Sequence, residues 1–122
     1  MDIKIRKNKS NVYLMELSGS IDLHSSDQLK DLVMKMIKNK VERFIISLKD
    51  IETVNSSGIG ALSYVSSTLK KLNCPLVIIV PEGPALQALE VTRLKGYFTI
   101  ASSLEEAVPL ATAGFNEELQ LK

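Results

Sequence analysis

Phe44-Ile45-Ile46 and Leu76-Val77-Ile78-Ile79-Val80 are short, nearly continuous apolar runs, the pattern of strands covered on both faces. Such strands sit centrally in a sheet. Between them Ile59, Leu62, Val65, Leu69 and Leu72 recur near helical spacing, which predicts a helix from about Ser57 to Lys71. A strand, a crossover helix and a second strand imply parallel pairing, so the expected class is α/β.

Toward the N-terminus, Leu29, Leu32, Val33, Met36 and Ile37 form one apolar helical stripe, with Ser25 and Gln28 at capping-box spacing. Ahead of it Ile3 and Ile5 alternate with charged residues, Asn8-Lys9-Ser10-Asn11 reads as a turn, and Val12 to Leu17 reads as a strand. The chain therefore opens with a β-hairpin whose first strand lies at an edge. Toward the C-terminus, Pro84 suits the first turn of a third helix carrying Leu86, Leu89 and Leu94, ended by Gly96 before a strand from Tyr97 to Ile100. A last helix starts near Ser103, with Glu106 at capping-box spacing. Pro109 predicts a kink or an early stop in it, and Gly114 its end. The expectation is a single domain over residues 1–113, a mixed sheet of about four to five strands packed with about four helices. A polar tail over 114–122 is either frayed or docked.

The 122 residues, 45% hydrophobic and 24% charged, suffice for a conventional core without covalent staples. Lys and Arg total 15 against 14 Asp and Glu, so the whole-chain charge offers no large field to nucleic acid or an acidic membrane, and neither is expected as a partner. Cys74 is the only cysteine, which precludes an internal disulfide, and no stretch resembles a signal peptide or a membrane span. A cytoplasmic protein is expected. His24 and Cys74 form no metal-ligand pattern, so neither a metal nor another cofactor is expected.

The chemically informative stretch is Thr53-Val54-Asn55-Ser56-Ser57-Gly58-Ile59-Gly60, where a strand has ended and a helix begins. A helix start presents unpaired N–H groups and the positive end of the dipole, which suits a phosphate on a serine oxygen. Phosphorylation there would add roughly −1.5 to −2 charges at neutral pH. Asn55, Ser56 and Ser57 are equally ordinary helix-capping residues, and Gly58 and Gly60 can serve close helix packing. Asp22 either caps the first helix or lies beside Ser56. His24 reads as solvated, and Cys74 as a small core or near-surface residue.

Ser56-Ser57-Gly58-Ile59-Gly60 resembles the Asp-Ser-Ser-Gly-Leu-Gly signature of bacterial anti-sigma factor antagonists, the stand-alone STAS domains, and Gly19-Ser20-Ile21-Asp22 resembles their early Gly-x-x-Asp element. With the order of strands and helices, the resemblance covers about residues 1–112 and implies a STAS-like fold. In that family the serine after the Asp is phosphorylated by a GHKL-type serine kinase that is also the anti-sigma factor, and a PP2C-type phosphatase reverses it. By position that serine is Ser56. The resemblance implies a non-enzymatic switch whose unphosphorylated form binds the kinase and frees the sigma factor for transcription. Asp22, Asn55, Ser57, Gly58, Ile59 and Gly60 would form the partner-binding surface, with Gly58 and Gly60 allowing close approach and an exposed Ile59 giving apolar contact. Self-association, if any, would be weak.

Asn55 departs from the family pattern, keeping the size and capping ability of Asp but not its charge. That departure gives weight to an alternative, a non-switching STAS scaffold subunit of a stress-sensing or lipid-transport complex. Enzyme readings fit poorly. A phosphate-binding P-loop needs a lysine where Ala61 follows Gly60, and a serine hydrolase would need His24 as its positioned base.

Overall fold

The computed structural model describes residues 1–91 and 98–120, with side chains as far as Thr112. In chain order the elements are β1 (Asp2–Lys7), β2 (Val12–Ile21), α1 (Leu23–Lys38), β3 (Arg43–Val54), α2 (Ser56–Lys71), β4 (Leu76–Ile79), α3 (Pro84–Val91), β5 (Ile100–Ala101) and α4 (Leu104–Gln120). The strands form one sheet in the order β1-β2-β3-β4-β5. β1 runs antiparallel to β2 at the edge, and the other pairs are parallel. The N-terminal hairpin and the central parallel unit thus stand as expected.

Alternation along the strands divides the interior in two. Met15, Leu17, Phe44, Ile46 and Ile78 face one cluster, where Leu29 and Val33 of α1, Leu62 and Leu69 of α2 and Leu89 of α3 cover them. Leu14, Ile45, Val77 and Ile79 point to the opposite side, onto Ala107 and Ala111 of α4. Among the described residues, three helices lie over one face and a single helix over the other, which is why Phe44–Ile46 and Leu76–Val80 read as continuous apolar runs.

α1 and α2 end alike. After α1, Lys40 adopts φ 64°, its N–H donates to Ile37 O and the Val41 N–H to Met36 O. After α2, Asn73 adopts φ 57°, its N–H donates to Lys70 O and the Cys74 N–H to Leu69 O. These are paired Schellman closures that satisfy the last carbonyls of each helix.

Several expectations are corrected. α1 begins at Leu23 with Asp22 as its N-cap, so Ser25 is the third helical residue and not the cap. α4 continues through Pro109 and Gly114 to Gln120, so the helix neither stops early at Pro109 nor ends at Gly114. Pro109 lies on the exposed outer side while Ala107 and Ala111, fully buried on the sheet, hold the helix down on either side of it. The carbonyl of Glu105 that loses its donor therefore lies on a solvated stretch, where water can replace the missing N–H. The last strand is confined to Ile100–Ala101, and Phe98 and Thr99 precede it. The expected positions of Leu94, Gly96 and Tyr97 lie outside the described residues.

Candidate functional site

The parallel register pairs Ile21 with Val54, so β2 and β3 end side by side and each is followed at once by a helix cap. Asn55 caps α2. It is extended (φ −90°, ψ −178°), its Oδ1 accepts the Gly58 N–H at 3.1 Å, and its carbonyl accepts the Ile59 N–H at 3.1 Å. Its own N–H donates to Ile21 O at 3.3 Å, fastening the start of α2 to the end of β2. Ser56 is thereby the first helical residue, exposed, with no hydrogen bond to its hydroxyl among the described residues. The N–H groups of Ser56 and Ser57 have no intrahelical acceptor, as at every helix start.

Asp22 caps α1 from the neighbouring strand. Its Oδ1 accepts the Ser25 N–H at 3.0 Å and the Ser25 hydroxyl at 3.0 Å, and its N–H donates to Ser25 Oγ at 2.8 Å. The Ser26 hydroxyl donates to the Asp22 carbonyl at 2.6 Å. The Ser25 backbone N–H, and then the Ser25 hydroxyl, hold the Asp22 carboxyl below the usual carboxylate range, with a smaller contribution from His24. The site thus carries a fixed negative charge at neutral pH, one cap away from Ser56.

Two glycines that look alike in sequence have different duties. A Cβ on Gly58 would stand 2.7 Å from Ile21 Cγ2 and 2.8 Å from Val54 Cγ1, so its bareness lets α2 press onto the strand ends. A Cβ on Gly60 would meet nothing within 4 Å, and Gly60 is exposed. Close approach by a partner is therefore open at Gly60 and closed at buried Gly58. Ile59 is also corrected. It is only 6% exposed and belongs to the core, so it offers no apolar contact at the surface.

Asp22, Asn55, Ser56 and Gly60 thus share the C-terminal edge of the parallel strands, and Ser57 is half-buried beside them. Sequence reasoning missed a cross-strand tie here. The Thr53 hydroxyl donates to Ser20 Oγ at 2.8 Å across β3 and β2. Its only signal was a hydroxyl residue two positions before each cap. Gly19, at φ 92° in an irregular stretch of β2, supplies a left-handed turn of the chain that side-chain-bearing residues avoid.

Residues 3–107 match the family model described as the STAS domain. The chain belongs to the STAS domain family. Several solved structures share the fold of this STAS protein. An anti-sigma factor antagonist from Mycobacterium paratuberculosis is 17% identical, with 91% of this chain and 93% of that one covered and a TM-score of 0.81. The Bacillus cell fate determinant SpoIIAA in its phosphorylated form is 17% identical, with 88% and 96% covered and a TM-score of 0.67. A serine-to-glutamate variant of RsbS from Moorella thermoacetica is 18% identical, with 98% and 99% covered and a TM-score of 0.74. Among the described residues of this STAS domain, no helix is long and apolar enough to cross a membrane.

Proposed function

We propose that this STAS protein is an anti-sigma factor antagonist that binds a GHKL-type anti-sigma serine kinase and is released when that kinase phosphorylates Ser56. The observation that carries the reading is the exposed, unbonded Ser56 hydroxyl at the first position of α2, facing outward at the positive end of the helix. A phosphate there leaves the core untouched, because the buried residues of that turn are Gly58 and Ile59. It adds roughly −1.5 to −2 charges beside the ionised Asp22, enough to change which partner the edge attracts. The likeness in fold to an anti-sigma factor antagonist, and to SpoIIAA in a phosphorylated form, supports the reading.

The protein would act in the cytoplasm through protein contacts, without catalysis of its own, and a PP2C-type phosphatase would reset it. The partner surface is Asp22, Asn55, Ser56, Ser57 and Gly60, with Gly58 and Ile59 shaping it from beneath. The test is incubation with purified GHKL-type serine kinases of the same genome and ATP, read by intact mass and peptide mapping. A single phosphate on Ser56, absent in Ser56→Ala, and weakened kinase binding by Ser56→Glu are expected. No phosphate together with undiminished binding of Ser56→Glu overturns the reading.

Asn55 favours a second reading, a constitutive STAS scaffold, since it supplies the cap without the charge carried at that position in the resembling signature. A scaffold would stay in one large assembly on size-exclusion chromatography whether or not ATP and kinase are present. A switch would exchange partners.

A further inference from the structure

The near-zero net charge averages over two ends of opposite sign. Around the Ser56 edge the exposed charges are mainly acidic, with Asp2, Asp22, Asp50, Glu52 and Glu82 at or beyond the strand ends and Lys49 among them. At the opposite edge, where the parallel strands begin, stand the β1–β2 turn and the two Schellman closures. Lys7, Lys9, Lys38, Lys40 and Lys71 are all exposed there, and among the described side chains Glu42 is the acid beside them. The ion pairs found among the described residues, Arg6–Glu16 and Lys30–Asp27, involve none of these lysines. Lys7 lies 5.9 Å from the Tyr13 ring.

Part of this is ordinary helix chemistry, because Lys35, Lys38, Lys70 and Lys71 complement the negative ends of α1 and α2. That explanation does not reach Lys7 and Lys9 in the hairpin. Nor does it reach Lys40, which occupies a left-handed position (φ 64°) that Gly or Asn fills at lower cost. The same edge also exposes hydrocarbon. Leu72 is 51% exposed at the end of α2, beside a groove of about 370 Å³ whose lining includes Ile37, Lys40, Val41, Glu42, Cys74 and Pro75.

We propose that this lysine-rich edge, with the exposed Leu72 on it, is a docking surface for an anionic lipid bilayer. Lysine is a hydrated point charge suited to a diffuse anionic surface, whereas protein interfaces favour Arg and aromatic side chains over Lys. Single-stranded nucleic acid would call for exposed aromatic stacking faces. Here Arg43 is half-buried and donates to Ser10 O at 2.9 Å, Arg6 beside Lys7 is tied to Glu16 at 2.8 Å, and Tyr13 is half-buried. Clustered lysines flanking an exposed leucine match the combination of charge attraction and shallow apolar insertion by which proteins lie on acidic membranes. Because this edge is opposite Ser56, a protein docked this way holds its switch outward.

The test is co-sedimentation of the full chain with vesicles of phosphatidylcholine alone or mixed with phosphatidylserine. Binding only to the anionic vesicles is expected, lost as salt rises from about 0.1 M to about 1 M. The triple variant Lys38→Glu, Lys40→Glu, Lys71→Glu should bind roughly a hundredfold more weakly, at about fivefold per lysine. Leu72→Ser should weaken binding by a smaller factor, and Lys49→Glu at the other edge should not, with melting temperatures confirming that each variant folds. Equal binding to neutral vesicles, no vesicle binding, or tighter binding to duplex DNA or polyglutamate at matched salt overturns the proposal. None of these readouts depends on phosphorylation of Ser56.

Discussion

At the first position of α1 the molecule exposes Leu23, 69% accessible, and at the first position of α2 it exposes Ser56. The two junctions otherwise run in parallel, each a strand end, a polar cap and a helix whose third and fourth residues are buried. In α1 those buried residues are Ser25 and Ser26, whose hydroxyls turn back onto Asp22 and close the polar groups of the junction on one another. In α2 they are Gly58 and Ile59, which seat the helix by contact with hydrocarbon and leave the polar groups facing out. One helix start is sealed and the other is open. A group added to Ser56 therefore disturbs nothing inside, while the same addition to Ser25 would have no room.

Substitutions can break or sharpen that contrast. Ile59→Ala should cost about 2–5 kcal/mol in chemical denaturation, as a buried isoleucine does, whereas a surface contact residue would leave stability unchanged. Gly58→Ala should destabilise by about 1–2 kcal/mol, because crowding against Ile21 and Val54 outweighs the better helix propensity of alanine. Asn55→Ala should lose about 1 kcal/mol through the missing cap, with Asn55→Asp near wild type by the same measurement. Gly60→Ala should run the other way, stabilising by up to about 1 kcal/mol because nothing opposes its methyl group.

The smallest effect belongs to the sealed start. The lowered pKa of Asp22 means that its carboxylate stabilises the fold above the unfolded-state value and that this contribution is lost as pH falls through the folded value. The difference in melting temperature between wild type and Asp22→Asn should therefore be present at neutral pH and shrink in acid. A difference that grows toward low pH contradicts the cap geometry.

Which parts of this were readable from the residues depended on how many signals bore on each. The central strands were legible because Ile45 and Ile46 are both apolar yet face opposite layers, which only a doubly covered strand requires. The α2 stripe was legible too, and it already placed Ile59 inside. The exposed role for Ile59 came from the resemblance, and local periodicity was the better guide. The cap of α1 had two readings, because Ser25 with Gln28 and Asp22 with Ser25 both fit capping spacing, and the end of β2 decides for Asp22. The same stripe overreached at Leu72, which follows the last turn of α2. Pro109 and Gly114 are local breakers, and the buried Ala107 and Ala111 that hold α4 down near Pro109 carry little signal in sequence. The charge segregation was hidden for a different reason, since only the fold brings Lys7, Lys40 and Lys71 to one edge.

The parallel pairing of β2 with β3 has a consequence for how the chain reaches this state. The β1–β2 hairpin needs only a short turn and can close in about 1–10 μs, but β3 cannot join until α1 has crossed back over the sheet. Closing that longer loop is slower, as non-local pairing generally is. In the interval the hairpin is a two-stranded ribbon with unequal sides. Its outer strand is guarded by Asp2, Lys4, Arg6 and Lys7, while its inner side offers the apolar run Val12–Leu17 with its backbone unpaired. Mispairing between chains should therefore start on the β2 side during synthesis or refolding, and α1 and β3 remove that opportunity by the act of docking.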